Sequence, residues 1–153
     1  ALAELGFKKV PSFSLPEGMV FLDGDIRTTP ALHKKVKTLL NFVILPGSMR
    51  PESLLANFLN ELADDSPVWE SINENFTRQY CFKDISLAEV QSDRTKAKLW
   101  FNAHLTHWGK NAFKVINPWI KANQDSADEF VSDFTKSYNK FAEQLAITPL
   151  PVS

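Results

Sequence analysis

The chain has 153 residues, a length that fits one domain or a small subdomain docked on a second. Hydrophobic residues make up 44% and charged residues 23%, with 12 Phe and 4 Trp, so extensive disorder is excluded and a sizeable core can be buried. With 17 basic and 18 acidic side chains the net charge is -1, which argues against coating nucleic acid by bulk charge but leaves room for a local basic patch.

A single cysteine, Cys81, cannot form an intrachain disulfide, and no Cys/His spacing matches a zinc site. This thiol usage fits a reducing, cytoplasmic setting. No apolar run approaches the ~20 residues that span a bilayer, so no membrane association is expected. The N-terminus lacks the basic-then-apolar pattern of a signal peptide. Ala1 falls within what reads as a structured segment, and the expectation is a longer protein of which this is the C-terminal part.

Residues 1–18, with Pro11 and Pro16, read as irregular or edge structure. Met19-Val20-Phe21-Leu22 is a short apolar run bounded by Gly18 and by Asp23-Gly24-Asp25. It does not alternate polar with apolar residues, which predicts a buried, parallel strand. Residues 30–40 predict a helix, with Pro30 in its first turn and Leu32, Val36, Leu39 and Leu40 at helical spacing. Asn41-Phe42-Val43-Ile44-Leu45 is a second strand, closed by Pro46-Gly47. Strand, helix and strand in that order make an α/β unit.

Beyond Pro51 the pattern becomes helical. Leu54, Leu55, Phe58, Leu59 and Leu62 form one stripe of a helix over 51–63. Further helices are expected over 67–76, 86–108, 111–122 and 125–146. The last has Asp125 or Ser126 to cap it and Phe130, Phe134, Tyr138, Phe141 and Leu145 along one face. The expected fold is α/β: a partial parallel-sheet unit over 1–63, followed by an all-helical region over 64–153.

Asp23-Gly24-Asp25 is the sharpest chemical feature. Two carboxylates one residue apart, just past a parallel strand, can face the crevice where ligands of such sheets bind. Two anions so placed repel unless a cation lies between them, and hard oxygen donors suit Mg²⁺ or Mn²⁺. Gly24 permits a tight backbone path; an ordinary strand-to-loop turn is the plainer alternative. Glu52, in the first turn of its helix, is a secondary metal candidate, though a carboxylate there also suits the helix dipole. Lys110, after Trp108-Gly109, could stabilise charge building on a phosphate, or could be a plain surface lysine. His104 and His107 lie three apart on a helix without an evident third ligand. His33 with Lys34, Lys35 and Lys37 makes a basic face, more usually a solvated one. No Gly-rich phosphate loop or nucleophile elbow is present.

Val20-Phe21-Leu22-Asp23-Gly24-Asp25, then Phe42-Val43-Ile44-Leu45-Pro46-Gly47 and Pro51-Glu52, resembles the Toprim nuclease module of ATP-dependent endonucleases related to the OLD (overcoming lysogenization defect) proteins. Lys98-Leu99-Trp100-Phe101, Trp108-Gly109-Lys110 and Trp119-Ile120 are similar to the helical extension of those proteins. The resemblance implies metal-dependent cleavage of DNA, with Asp23 and Asp25 as metal acids and Lys110 as a looser match to the catalytic lysine. It also implies an ATPase domain, the only route by which ATP would enter, N-terminal to this chain. One departure stands out: such modules carry an acid on an earlier strand, and only Glu4 and Glu17 precede Asp23 here.

Two other readings compete. A haloacid-dehalogenase-like phosphohydrolase also ends a strand in Asp-x-Asp, but Arg27 occupies the position where Thr or Val belongs. A non-catalytic docking or dimerisation module, with a second copy of the chain as one partner, would leave large apolar patches exposed.

Overall fold

The computed structural model describes residues 19–31, 34 and 42–151. Strands β1 (Val20–Leu22) and β2 (Phe42–Ile44) pair in parallel, Val20 opposite Phe42 and Leu22 opposite Ile44. Leu45 N–H donates to the Leu22 carbonyl at 2.8 Å and carries the pairing one step further. A parallel pair needs a crossover connection. Of the helix expected over 30–40, Pro30, Ala31 and Lys34 are helical, and the rest lies outside the described residues. His33, Lys35, Lys37, Glu4, Glu17 and the whole of 1–18 lie outside them too. Leu22 and Ile26 form a small buried cluster against Phe42 and Ile44.

The remaining elements are helical. Helix α1 (Pro51–Glu61) starts at Pro51, whose missing N–H costs nothing in a first turn, and buries Leu55, Ala56 and Leu59. Helix α2 (Pro67–Ile72) is capped by Ser66, which accepts from Val68 N–H. It stops short of the expected residue 76 because Asn73 turns extended and its side chain accepts from Asn75 N–H at 3.0 Å. A four-residue helix, α3 (Arg78–Cys81), follows; its length is too short for periodicity to signal.

The single helix expected over 86–108 is two. Helix α4 (Leu87–Ser92) opens with a capping box between Ser86 and Glu89, and α5 (Arg94–Trp108) opens at Asp93. Asp93 is extended, and its Oδ1 accepts from Thr95 N–H at 2.7 Å and Lys96 N–H at 3.1 Å. A side chain that satisfies two orphan donors at once fixes a helix start there rather than a helix interior. Gly109, at φ 75, ends α5. A 3-10 turn (Lys110–Ala112) leads to α6 (Phe113–Ala122) and then α7 (Gln124–Leu145).

The described chain is thus mostly helical and carries a small two-stranded parallel sheet. Leu55, Ala56 and Leu59 of α1 join Trp69, Ile72, Phe76, Val90, Trp100, Trp108, Val115 and Trp119 in one core. Helix α1, which the sequence assigns to the α/β unit, therefore packs with the helices. Helix α7 lies against the sheet: Phe130, Phe134 and Tyr138 stack in sequence along it, and Phe21 of β1 stacks on Phe134 with centroids 6.2 Å apart. Among the described residues no helix is long and apolar enough to cross a membrane.

Candidate functional site

Parallel pairing delivers the carboxyl ends of both strands to one edge, and the two polar turns meet there. After Leu22 the backbone bends at Asp23 into a 3-10 helix, Gly24–Thr28, with Ile26 N–H on the Asp23 carbonyl at 3.2 Å. Burial alternates along this turn. Leu22, Gly24 and Ile26 are buried, whereas Asp23 and Asp25 are half-buried. The apolar members anchor the turn on the sheet and leave both acids at its rim.

Gly24 is required by space. A Cβ there would lie 2.6 Å from the Gly47 carbonyl oxygen and 2.8 Å from that of Met49, both backbone atoms. The Asp-Gly-Asp turn is therefore pressed backbone to backbone onto the Pro46–Met49 turn. Arg27 closes the junction. Its Nη1 donates to the carbonyls of Leu45 at 2.5 Å and Gly47 at 2.8 Å, and its Nη2 to that of Ile44 at 3.4 Å. The hydroxyls of Thr28 and Thr29 donate to the Asp25 carbonyl at 2.8 and 3.2 Å and hold the far end of the turn.

Asp23 occupies the cap position of its 3-10 helix, yet its carboxylate makes no capping bond. It faces Arg94 instead, Oδ2 to Nη2 at 3.8 Å, with the side chains 37% and 50% exposed. An ion pair so exposed and so long is worth under about 1 kcal/mol, so a stronger partner could displace it. Arg94 is brought there by the α4–α5 junction. Arg50 Nη2 donates to the Gln91 carbonyl at 2.8 Å, and Ser53 Oγ to that of Val90 at 3.1 Å, tying the start of α1 to the same junction. The backbone N–H groups of Lys96 and Thr95 hold the Asp93 carboxyl below its ordinary range, so that cap stays ionised.

The predicted site residues are only partly assembled. Asp23 and Asp25 share the edge. Glu52 is half-buried in the first turn of α1, but among the described residues no three acids, histidines or cysteines converge to hold a metal ion. Lys110 is exposed at the end of α5 opposite Arg94, and the 15 residues of that helix span about 21 Å. The cation placed against Asp23 is Arg94, a residue that no catalytic sequence motif marks. Its signal was Ser92-Asp93-Arg94-Thr95, a helix-start pattern inside an apolar periodicity that continues unbroken. Arg27, weighed in the sequence only as a departure from a phosphohydrolase pattern, is the clamp of the edge.

His104 and the Cys81 thiol are buried in the helical core, with His107 half-buried beside them. The Cys81 carbonyl, at the end of α3, accepts from Trp100 Nε1 at 2.9 Å and from His104 Nε2 at 2.9 Å, satisfying a helix end that would otherwise be an orphan. Burial pushes the Cys81 thiol up to about 12 against the opposing bond from Trp100, so it is no nucleophile. His107 Nε2 lies 3.5 Å from the Tyr80 hydroxyl and packs on Phe76. Among the described residues no further acid, histidine or cysteine joins the pair as a third metal ligand. Compared with protein-family models, with curated proteins and with solved structures, the chain finds no match.

Proposed function

We propose that the chain is the C-terminal part of a divalent-metal-dependent DNA endonuclease, in a protein that also carries an ATPase region. The observation that carries this reading is the uncapped Asp23 carboxylate, next to Asp25, at the edge where two parallel strands deliver their turns. The resemblance of the Asp-Gly-Asp, Leu-Pro-Gly and Pro-Glu segments to the Toprim nuclease module supports it from the sequence side.

Asp23 and Asp25 supply hard oxygen ligands. Two carboxylates completed by water and substrate phosphate are a usual way to bind Mg²⁺. Bound there, Mg²⁺ or Mn²⁺ would polarise the scissile phosphate and acidify the attacking water. In the hydrolysis the water oxygen forms a new bond to phosphorus, the bond to one bridging oxygen breaks, and that leaving oxygen takes up a proton. Gly24 and Arg27 keep the acids in place by fixing one turn on the other.

The test is the double change Asp23→Asn, Asp25→Asn in the full-length protein. The parent should cut plasmid DNA only with Mg²⁺ or Mn²⁺, and the double variant should lose both the cutting and the Mn²⁺ binding. Cutting at the parental rate by the double variant ends the proposal.

A further inference from the structure

Three arginines converge on the sheet edge and the start of α5. Arg27 spends its guanidinium on three backbone carbonyls, and Arg50 donates to that of Gln91. Both hold the fold together. Arg94 differs: its contact is with a carboxylate, at 3.8 Å, and half of its side chain is exposed. Charge-assisted hydrogen bonds between a guanidinium and a carboxylate run at about 2.7–2.9 Å, so Arg94 rests near Asp23 without being locked to it. Nor does helix stability explain the residue. It is the first residue of α5, where the positive end of the helix dipole disfavours a cation.

A guanidinium with unspent donors beside the proposed metal acids is suited to one substrate group above others. Its planar fork matches two oxygens of a phosphate, which a lysine ammonium does not. We infer that Arg94 grips a non-bridging pair of oxygens on the DNA backbone at the Asp23–Asp25 edge, an inference that rests on the nuclease reading. On binding DNA the guanidinium exchanges the Asp23 carboxylate for the phosphate, and the freed carboxylate would be available to hold a metal ion. Arg94 thus takes the place that the sequence gives to Lys110.

The experiment compares Arg94→Ala and Arg94→Lys with the parent in the full-length protein. It uses plasmid DNA for cleavage, a short duplex for binding and Mn²⁺ alone for metal affinity. Loss of a hydrogen bond to a charged group predicts a KM for DNA about ten- to a hundred-fold higher in Arg94→Ala. The slope of log affinity against log salt should fall by about one. Arg94→Lys should recover part of the affinity, through charge without the fork. Mn²⁺ binding and the thermal midpoint should stay at the parental values. An unchanged KM and salt slope overturn the inference. So does loss of Mn²⁺ binding in Arg94→Ala, because Arg94 would then only support Asp23. Failure of the nuclease reading itself is seen separately, as equal cutting by the parent and by the double Asn variant, and removes both.

Discussion

The sheet edge and the helical core solve opposite problems within one chain. At the edge, two three-residue strands bury Leu22 and Val43, and the turn after the first adds Ile26, against half-buried Phe42 and Ile44, too little apolar surface to be stable alone. In the core, all four tryptophans, Trp69, Trp100, Trp108 and Trp119, are buried among the helices. Stability therefore resides in the helices, whereas the geometry of the edge is set by directed backbone contacts: Arg27 on the carbonyls of Ile44, Leu45 and Gly47, and Gly24 against those of Gly47 and Met49. A site can thus be placed with little apolar burial of its own. It needs a backbone clamp on one side and, here, the aromatic stripe of α7 on the other.

The largest effect is expected from the core. Trp100 stacks on Phe82, meets Trp108 edge-on and donates to the Cys81 carbonyl. Trp100→Ala should cost about 3–5 kcal/mol of unfolding free energy, the range for removing a fully buried large aromatic. Chemical denaturation followed by far-ultraviolet circular dichroism measures it. A loss below about 1 kcal/mol would show that the tryptophan core does not carry the stability.

A smaller and more local effect is expected at the edge. Arg27→Ala removes the bonds to the carbonyls of Ile44, Leu45 and Gly47; because the guanidinium is half-buried and water can reach the freed carbonyls, the whole set should cost about 1.5–3 kcal/mol, the worth of a single charge-assisted bond. Amide exchange should accelerate at residues 42–45 while α5 keeps its protection. Equal acceleration in both regions would mean that edge and core open as one unit rather than as two.

Much of the core was legible in the sequence, and less of the edge. The strand runs at 20–22 and 42–44 stood out because they are apolar, short and bounded by turn residues. Helix α7 was legible from Phe130, Phe134 and Tyr138, since a face three and four residues apart needs no tertiary information. The break at Asp93 escaped because Leu87, Val90, Ala97, Trp100 and His104 keep helical spacing across it. Periodicity reports which face is buried and not whether the backbone continues. Asp23 and Asp25 are candidates because of their position after a strand. The partners of Arg27 and Arg94 were not legible, because a long charged side chain can reach many carbonyls or carboxylates and only the tertiary arrangement selects one. For the same reason Lys110, chosen by resemblance, lies at the other end of α5 from the cation that meets Asp23.

Acidification offers a way to loosen the core while leaving the edge intact. His104 is buried, and because a carbonyl can only accept, its Nε2 carries the proton that bonds the Cys81 carbonyl. Its Nδ1 is buried without a partner among the described residues, so a second proton there would have no acceptor. Burial accordingly holds the His104 pKa below the ordinary 6.5; the Cys81 carbonyl opposes this, His107 and Lys83 add to it, and Asp84 opposes it. The unfolded chain then binds a proton below pH 6.5 that the folded chain refuses. Stability is therefore full above that pH and falls as pH drops through it, by at most about 1.4 kcal/mol per pH unit for one group. In His104→Gln, which keeps a donor near the Cys81 carbonyl but does not titrate, denaturation midpoints measured from pH 7 down to about 5 should flatten, before carboxylates begin to dominate. Should parent and variant lose stability in parallel over that interval, the acid sensitivity belongs to some other group and His104 is a spectator in the core.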